Sequence, residues 1–264
     1  MKSKLLISLI LSCLFSCASY KSNQDFDIKK ALEYGEHKRH IGDLYLSKKD
    51  KAPIIYLVHG GGWNGRSKSD TKNIAESLAS HGFNVFNINY RLVPEVKYPA
   101  PIDDLERAVK FIEKSFPTQI DHTKVGLWGY SAGAQIVMLY GLSRKSETDA
   151  IVAGGGPYDL TWWPNSPIIT PYIGHKRDEN IQRWREASPI THLKKNSPKM
   201  FLYHALEDKL VDYTQMTNFE GRAKELGIPI ETHSIKFWGH SSAFVFSNEA
   251  VKKGIIFLKR QFAL

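Results

Sequence analysis

LWGYSAGAQI, residues 127–136, sets Ser131 between Gly129 and Gly133 at the seam of two unlike apolar runs. KVGLWGY (124–130), before the serine, has the length and composition of a buried strand, and AGAQIVMLYGL (132–142), after it, reads as a helix. A serine on a sharp strand-to-helix turn stands clear of the backbone, at a helix N-terminus whose free N–H groups favour negative charge. Flanking glycines let the chain turn tightly there. Ser131 is therefore a candidate nucleophile, provided the rest of the chain supplies a base and donors for an oxyanion.

The surrounding pattern gives that serine a scaffold. Strands are expected at 44–47, 53–60, 83–90, 150–156, 198–206 and 228–237, and helices at 69–80, 103–116, 214–226 and 248–262. In the 103–116 segment Leu105, Ala108, Val109, Ile112 and Phe116 recur at three- and four-residue steps. Strands such as PIIYLVHG (53–60) are continuous apolar runs rather than alternating ones, the mark of burial on both faces. Alternating strands and helices of this kind predict an α/β fold, a mostly parallel sheet with helices on both faces. Residues 157–197, rich in Trp, Pro and Tyr, break the alternation and are expected to form an insert of short helices over the sheet edge.

Three further stretches supply the partners that Ser131 needs. His59-Gly60-Gly61-Gly62-Trp63 follows an early strand, and its glycines let amide N–H groups point inward with no side chain in the way. Ala132, the residue after the serine, can donate a further N–H. FLYHALEDKLV (201–211) puts Glu207 and Asp208 just past a strand, and IKFWGHSS (235–242) puts His240 just past the last one. Serine, acid, histidine is the chain order in which a nucleophile, an orienting carboxylate and a general base occur on parallel sheets of this kind. Asp208 fits the acid best, with Asp212 and Glu207 as alternatives. His233 lies inside a strand and His204 precedes the acid, while His59 is suited to ordering the glycine loop.

Taken together, HGGGW (59–63), NYRLVPEVKYPAPIDD (89–104), GYSAG (129–133), HALEDKLV (204–211) and WGH (238–240) resemble the α/β-hydrolase esterases, in particular the BD-FAE-like and hormone-sensitive-lipase-like carboxylesterases. The resemblance implies an eight-stranded α/β-hydrolase fold and hydrolysis of small carboxylic esters through Ser131, Asp208 and His240. It places the oxyanion hole at Gly61, Gly62 and Ala132, and calls for no metal and no cofactor. Tyr130 stands where hormone-sensitive-lipase relatives have Asp, and Ala205 where family members often have Gly. With the short N-terminal region, these departures favour the BD-FAE or arylformamidase-like branch. An arylformamidase-like formamide hydrolase is the alternative enzyme. The non-enzymatic alternative is a binding protein on the same fold. In YRLVPE, Arg91 is expected to pair with Asp104 in a structural role.

The candidate substrate pocket lies under the loop 62–68 and the insert, where Trp63, Tyr130, Tyr158, Trp162 and Trp163 are the residues to watch, with Tyr172 and Trp184 nearby. A cover of this size suits a short acyl group, and acetyl groups on glycans and xenobiotic esters are the expected substrate classes. The net charge of +9 is spread along the chain rather than gathered on one face, which argues against nucleic acid as a partner.

The N-terminus, MKSKLLISLILSCLFSCASY, has a positive start and a short apolar run, so residues 1–17 read as a signal peptide. Leu14-Phe15-Ser16-Cys17 is similar to a bacterial lipobox, making Cys17 the candidate lipidation site and the cell envelope the expected location. Residues 18–35 read as a tether and 36–264 as the hydrolase domain. Both cysteines, Cys13 and Cys17, lie in the leader, so the remaining chain has no disulfide framework.

Overall fold

The computed structural model describes residues 26–143 and 147–264. The expected signal peptide, residues 1–17 with Cys17, lies outside the described residues. The sheet contains β1 (Phe26–Glu33), β2 (Ile41–Ser47), β3 (Ala52–Val58), β4 (Asn84–Ile88), β5 (Ile120–Tyr130), β6 (Thr148–Gly154), β7 (Lys199–Ala205) and β8 (Ile230–Ile235). Their spatial order is β1-β2-β4-β3-β5-β6-β7-β8. β1 pairs antiparallel with β2 and β2 with β4, while every pair from β4 to β8 is parallel. The eight-stranded, mostly parallel sheet expected from the sequence is thus present.

Two helical layers cover it. The helices are α1 (Lys72–Ser80), α2 (Ala100–Ser115), α3 (Ala132–Ser143), α4 (Ile169–Ile173), α5 (Ile181–Glu186), α6 (Thr214–Glu225), α7 (His240–Phe246) and α8 (Asn248–Phe262). On one face α2, α3 and α6 pack around Ile54, Tyr56, Leu127, Ile151 and Leu202. On the other, α1 and α8 close over Ile55, Leu57, Val85, Trp128 and Val152. Neighbouring residues of one strand fall in opposite clusters, which is why β3 and β5 read as unbroken apolar runs. From Ala132 to Leu142, α3 is buried on all sides, consistent with its lack of a polar stripe.

Two expectations are corrected. The segment assigned to a tether forms β1 from Phe26, in register from Phe26 opposite Ser47 to Glu33 opposite Ile41, with an irregularity between Lys29 and Leu32. As an edge strand it buries little beyond Phe26, so FDIKKALE carries charges that resemble a linker. The insert is made of short helices, as expected, but it covers α3 rather than the sheet edge. Gln135 of α3 accepts from Trp63 Nε1 (3.0 Å) and Tyr172 Oη (3.2 Å), and donates to Ala187 O (2.8 Å). No helix among the described residues is long and apolar enough to cross a membrane.

Candidate active site

β5 ends at Tyr130 and α3 begins at Ala132, which leaves Ser131 alone to make the turn. Its φ is +55°, a conformation that L-residues other than glycine seldom adopt and that persists only when the surroundings enforce it. The flanking glycines show what enforces it. A Cβ on Gly129 would stand 2.3 Å from Gly133 O, and one on Gly133 would stand 2.3 Å from Val58 O. The turn is packed backbone against backbone between β5 and the end of β3. The Ser131 amide donates to Gly154 O (2.8 Å), tying the turn to β6 as well.

A chain of hydrogen bonds runs from the hydroxyl. His240 Nε2 lies 2.8 Å from Ser131 Oγ, and His240 Nδ1 lies 2.6 Å from Asp208 Oδ2. The carboxylate fixes the tautomer. Burial acts to raise the Asp208 pKa, but hydrogen bonds from His204 and His240, the charge of His240 and the Val211 amide outweigh it and hold the group well below the usual carboxylate range. An ionised carboxylate only accepts, so Nδ1 carries a hydrogen, and it is the tautomer with Nε2 bare toward the serine that this contact selects. A hydroxyl held in this way can pass its proton to the imidazole as the oxygen attacks an electrophile.

Asp208 has a second histidine that sequence reading set aside. His204 Nε2 donates to Val211 O (2.8 Å) and approaches Asp208 Oδ2 to 3.3 Å. Oδ1 accepts the Leu210 and Val211 amides at 2.9 and 2.8 Å. Four N–H groups therefore converge on one carboxylate. The only signal in the sequence was the spacing of His204 and Asp208 across the end of β7. The alternatives Asp212 and Glu207 do not take this place: Asp212 accepts the Thr214 amide at the start of α6 (2.9 Å), and Glu207 is exposed.

The glycine loop faces the serine from the end of β3. Gly61 and Gly62 have φ of +110° and +58°, and both line a cavity of about 520 Å³ together with Ser131, Ala132 and His240. Among the described residues the amides of Gly61, Gly62 and Ala132 donate to no protein acceptor. The loop is held from below. His59 Nδ1 lies 2.6 Å from Gly60 O, its ring stacks on Tyr90 at 4.4 Å, and Arg39 Nη2 reaches both His59 Nε2 (3.4 Å) and Arg66 O (3.0 Å). Burial pushes the His59 pKa down to about 4, so the ring is neutral and accepts from Arg39. Arg39 was not anticipated, because no motif marks it.

The proposed pocket residues separate into two groups. Tyr130 and Trp163 line the cavity, and so does Trp63, although its ring is stacked on Tyr172 at 4.3 Å. Tyr130 donates its hydroxyl to His240 O (2.6 Å), and burial pushes its phenol pKa up, keeping it a donor. Tyr158 and Trp162 are not in the wall. Tyr158 is buried against Phe219, with ring centroids 4.8 Å apart, and Trp162 points out at 48% exposure. The insert turns between them, so adjacent aromatics serve the core and the surface rather than one pocket. Arg91 does pair with Asp104, which is fully buried and also accepts from His40 Nε2 (2.9 Å). Among the described residues no group of three or more His, Cys, Asp or Glu side chains is arranged to hold a metal ion.

Residues 43–222 match the BD-FAE family model. The chain belongs to the BD-FAE family. Among curated relatives, it is 25% identical over 247 residues to the Mycobacterium tuberculosis protein named Probable carboxylic ester hydrolase LipM, covering 80% of this chain and 57% of that one. It is 26% identical over 235 residues to kynurenine formamidase of Meyerozyma guilliermondii, covering 81% of this chain and 88% of the other. The chain thus spans little more than half the length of LipM but most of the formamidase. Among solved structures, a truncated carbohydrate esterase from gut microbiota superposes with a TM-score of 0.80 at 21% identity, covering 92% of this chain and 99% of that one. A bifunctional GH43-CE protein of Bacteroides eggerthii gives a TM-score of 0.81 at 25% identity, over 89% of this chain and 38% of that one. This BD-FAE member therefore has the α/β-hydrolase fold.

Proposed function

We propose that this protein is a serine carboxylesterase that cleaves small carboxylic esters with short acyl groups through a covalent acyl-enzyme. The observation that carries the reading is the continuous path Asp208 Oδ2, His240 Nδ1, His240 Nε2, Ser131 Oγ, with links of 2.6 and 2.8 Å. Ser131 Oγ attacks the ester carbonyl carbon as its proton passes to His240 Nε2. The carbonyl oxygen, now an oxyanion, is received by the amides of Gly61, Gly62 and Ala132. The imidazolium, stabilised by Asp208, protonates the departing alcohol oxygen and leaves the acyl group on Ser131. Water then attacks the acyl carbon, with His240 first taking and then returning a proton, to release the acid. Every step is served by side chains and amides of the chain itself.

Relatives named as esterases or carboxylic ester hydrolases support ester hydrolysis. A formamidase among the relatives makes formamide cleavage the second reading to test, since the same groups would perform it. For the N-terminal segment, the proposal is export and lipidation at Cys17, which the mass of the mature N-terminal peptide tests.

Ser131→Ala tests the central claim. It should abolish turnover of p-nitrophenyl acetate and butyrate and labelling by a fluorophosphonate probe. Activity at the wild-type level would overturn the reading. Turnover of N-formylkynurenine in preference to acetyl esters would move it to the formamidase side.

A further inference from the structure

We propose that the leaving-group side of the site is an apolar track, making esters of hydrophobic alcohols the preferred substrates; this rests on the reading above. The direction comes from the proton transfer. His240 must deliver its proton to the alcohol oxygen, so the alcohol lies on the His240 side of Ser131 and the acyl group on the other. His240 is the first residue of α7, and the same helix brings Phe244 and Val245 into the cavity wall, where Leu210 also stands. Phe244 packs on the Tyr130 ring at 4.9 Å, and Tyr130 in turn lies 5.3 Å from the His240 ring. The wall beside the departing oxygen is therefore mainly aromatic and aliphatic, with Ser241 as its polar member.

That surface does not end at the cavity mouth. Leu210 and Val245 are in the wall and yet 53% and 61% exposed, so they carry apolar surface from inside to outside. On the same helix Phe246 is 59% exposed and stacks on Trp238 at 5.2 Å, and Phe237, the neighbour of Trp238 in sequence, is 81% exposed. Exposed apolar side chains gathered in this way mark a binding surface rather than ordinary scatter. The other polar groups of the cavity include Asn64, Arg66 and Asp70, from the chain that follows the glycine loop, where Arg66 and Asp70 bond to each other across 3.4 Å, together with Ser166 of the insert and Ser241 of α7. An alkyl or aryl alcohol finds cover along α7, whereas a sugar there would face mostly carbon, with Ser241 as the polar residue that α7 adds beside His240.

The test holds the acyl group at acetyl and varies the alcohol through ethyl, butyl and hexyl acetates, whose leaving groups are close in acidity, with acetylated xylose alongside. kcat/KM should climb by up to about fourfold per methylene until the track is filled. Acetylated xylose should fall below hexyl acetate. Phe246→Ser and Val245→Ser should flatten the climb, read as the hexyl-to-ethyl ratio so that small losses of folded enzyme cancel. A flat wild-type series, or acetylated xylose ahead of hexyl acetate, overturns the proposal. So does an unchanged ratio in both variants with a dimer converted to monomer in sedimentation, which would make the patch a subunit interface. Fluorophosphonate labelling of wild-type Ser131 separates the two claims: labelling with a flat series sinks the track alone, and loss of labelling sinks the esterase reading.

Discussion

Asp208→Asn replaces an acceptor of four N–H groups with an amide that has one oxygen and one NH2. The backbone amides of Leu210 and Val211 cannot change what they offer, so the amide oxygen is expected to take the Oδ1 position that they address at 2.9 and 2.8 Å. The NH2 then faces His240 Nδ1 and His204 Nε2, where Oδ2 accepted at 2.6 and 3.3 Å. His240 relieves the clash by moving its hydrogen to Nε2, which now points a donor at Ser131 Oγ and cannot take its proton. When the carboxylate of such a triad becomes an amide, kcat falls by about 10⁴ through this change of tautomer. At about 1.36 kcal/mol per decade that is about 5 kcal/mol of lost transition-state stabilisation. The assay is kcat/KM on p-nitrophenyl acetate, with far-UV circular dichroism to confirm folding. Asp212→Asn, at the start of α6, serves as the control and should stay near wild type. A loss of less than about tenfold in Asp208→Asn, or an equal loss in Asp212→Asn, would refute the assignment of the acid.

Other outcomes follow from the packing and charge. Gly133→Ala would press a methyl group into Val58 O, so it should lower the urea midpoint, where an exposed helical Gly→Ala would raise it, and remove fluorophosphonate labelling with it. Asp104→Asn should cost about 3–5 kcal/mol in urea unfolding, because it strips a buried carboxylate from Arg91 and His40, while the rate per folded molecule changes little. His59 has its folded pKa lowered to about 4 from an ordinary value of 6.5, so between these values the unfolded chain binds a proton that the fold does not. Stability should therefore rise with pH across that window, by at most about 3 kcal/mol from this residue. The pH slope of wild type minus that of His59→Gln, taken from urea midpoints between pH 4 and 7, measures it, and identical slopes would remove His59 as the cause. Asp208, with its pKa depressed, contributes stability that is present above the ordinary carboxylate range and lost as pH falls toward its folded value.

Much of the site could be read before the fold was known, because each part sits where a strand stops. Apolar runs located the strands, and Ser131 follows β5 directly, while Asp208 and His240 follow β7 and β8 with two and four residues between. What escaped were groups whose role depends on approach from elsewhere in the chain. Arg39 comes from the turn before β2 to hold the glycine loop, and His204 matters only because the chain doubles back at Val211. β1 was missed because an edge strand with one neighbour needs little apolar surface. α7 was missed because HSSAFVF is short and carries its apolar residues outward as well as inward. The aromatics of the insert could not be sorted by type, since Trp162 and Trp163 are neighbours in sequence but only Trp163 reaches the cavity.

Among the described residues β8 has one strand neighbour, and most of its residues are partly exposed. His240 hangs from the far end of this strand, whereas Ser131 sits on β5 in the middle of the sheet. Edges open more readily than centres, and local opening is governed by its own smaller free energy. The proposed base is thus mounted at an edge of the sheet and the proposed nucleophile at its centre. Gentle heating should silence turnover while circular dichroism still reports an intact sheet. Heat tolerance of turnover is then expected to depend on the β7–β8 seam and the helices beside it more than on the core.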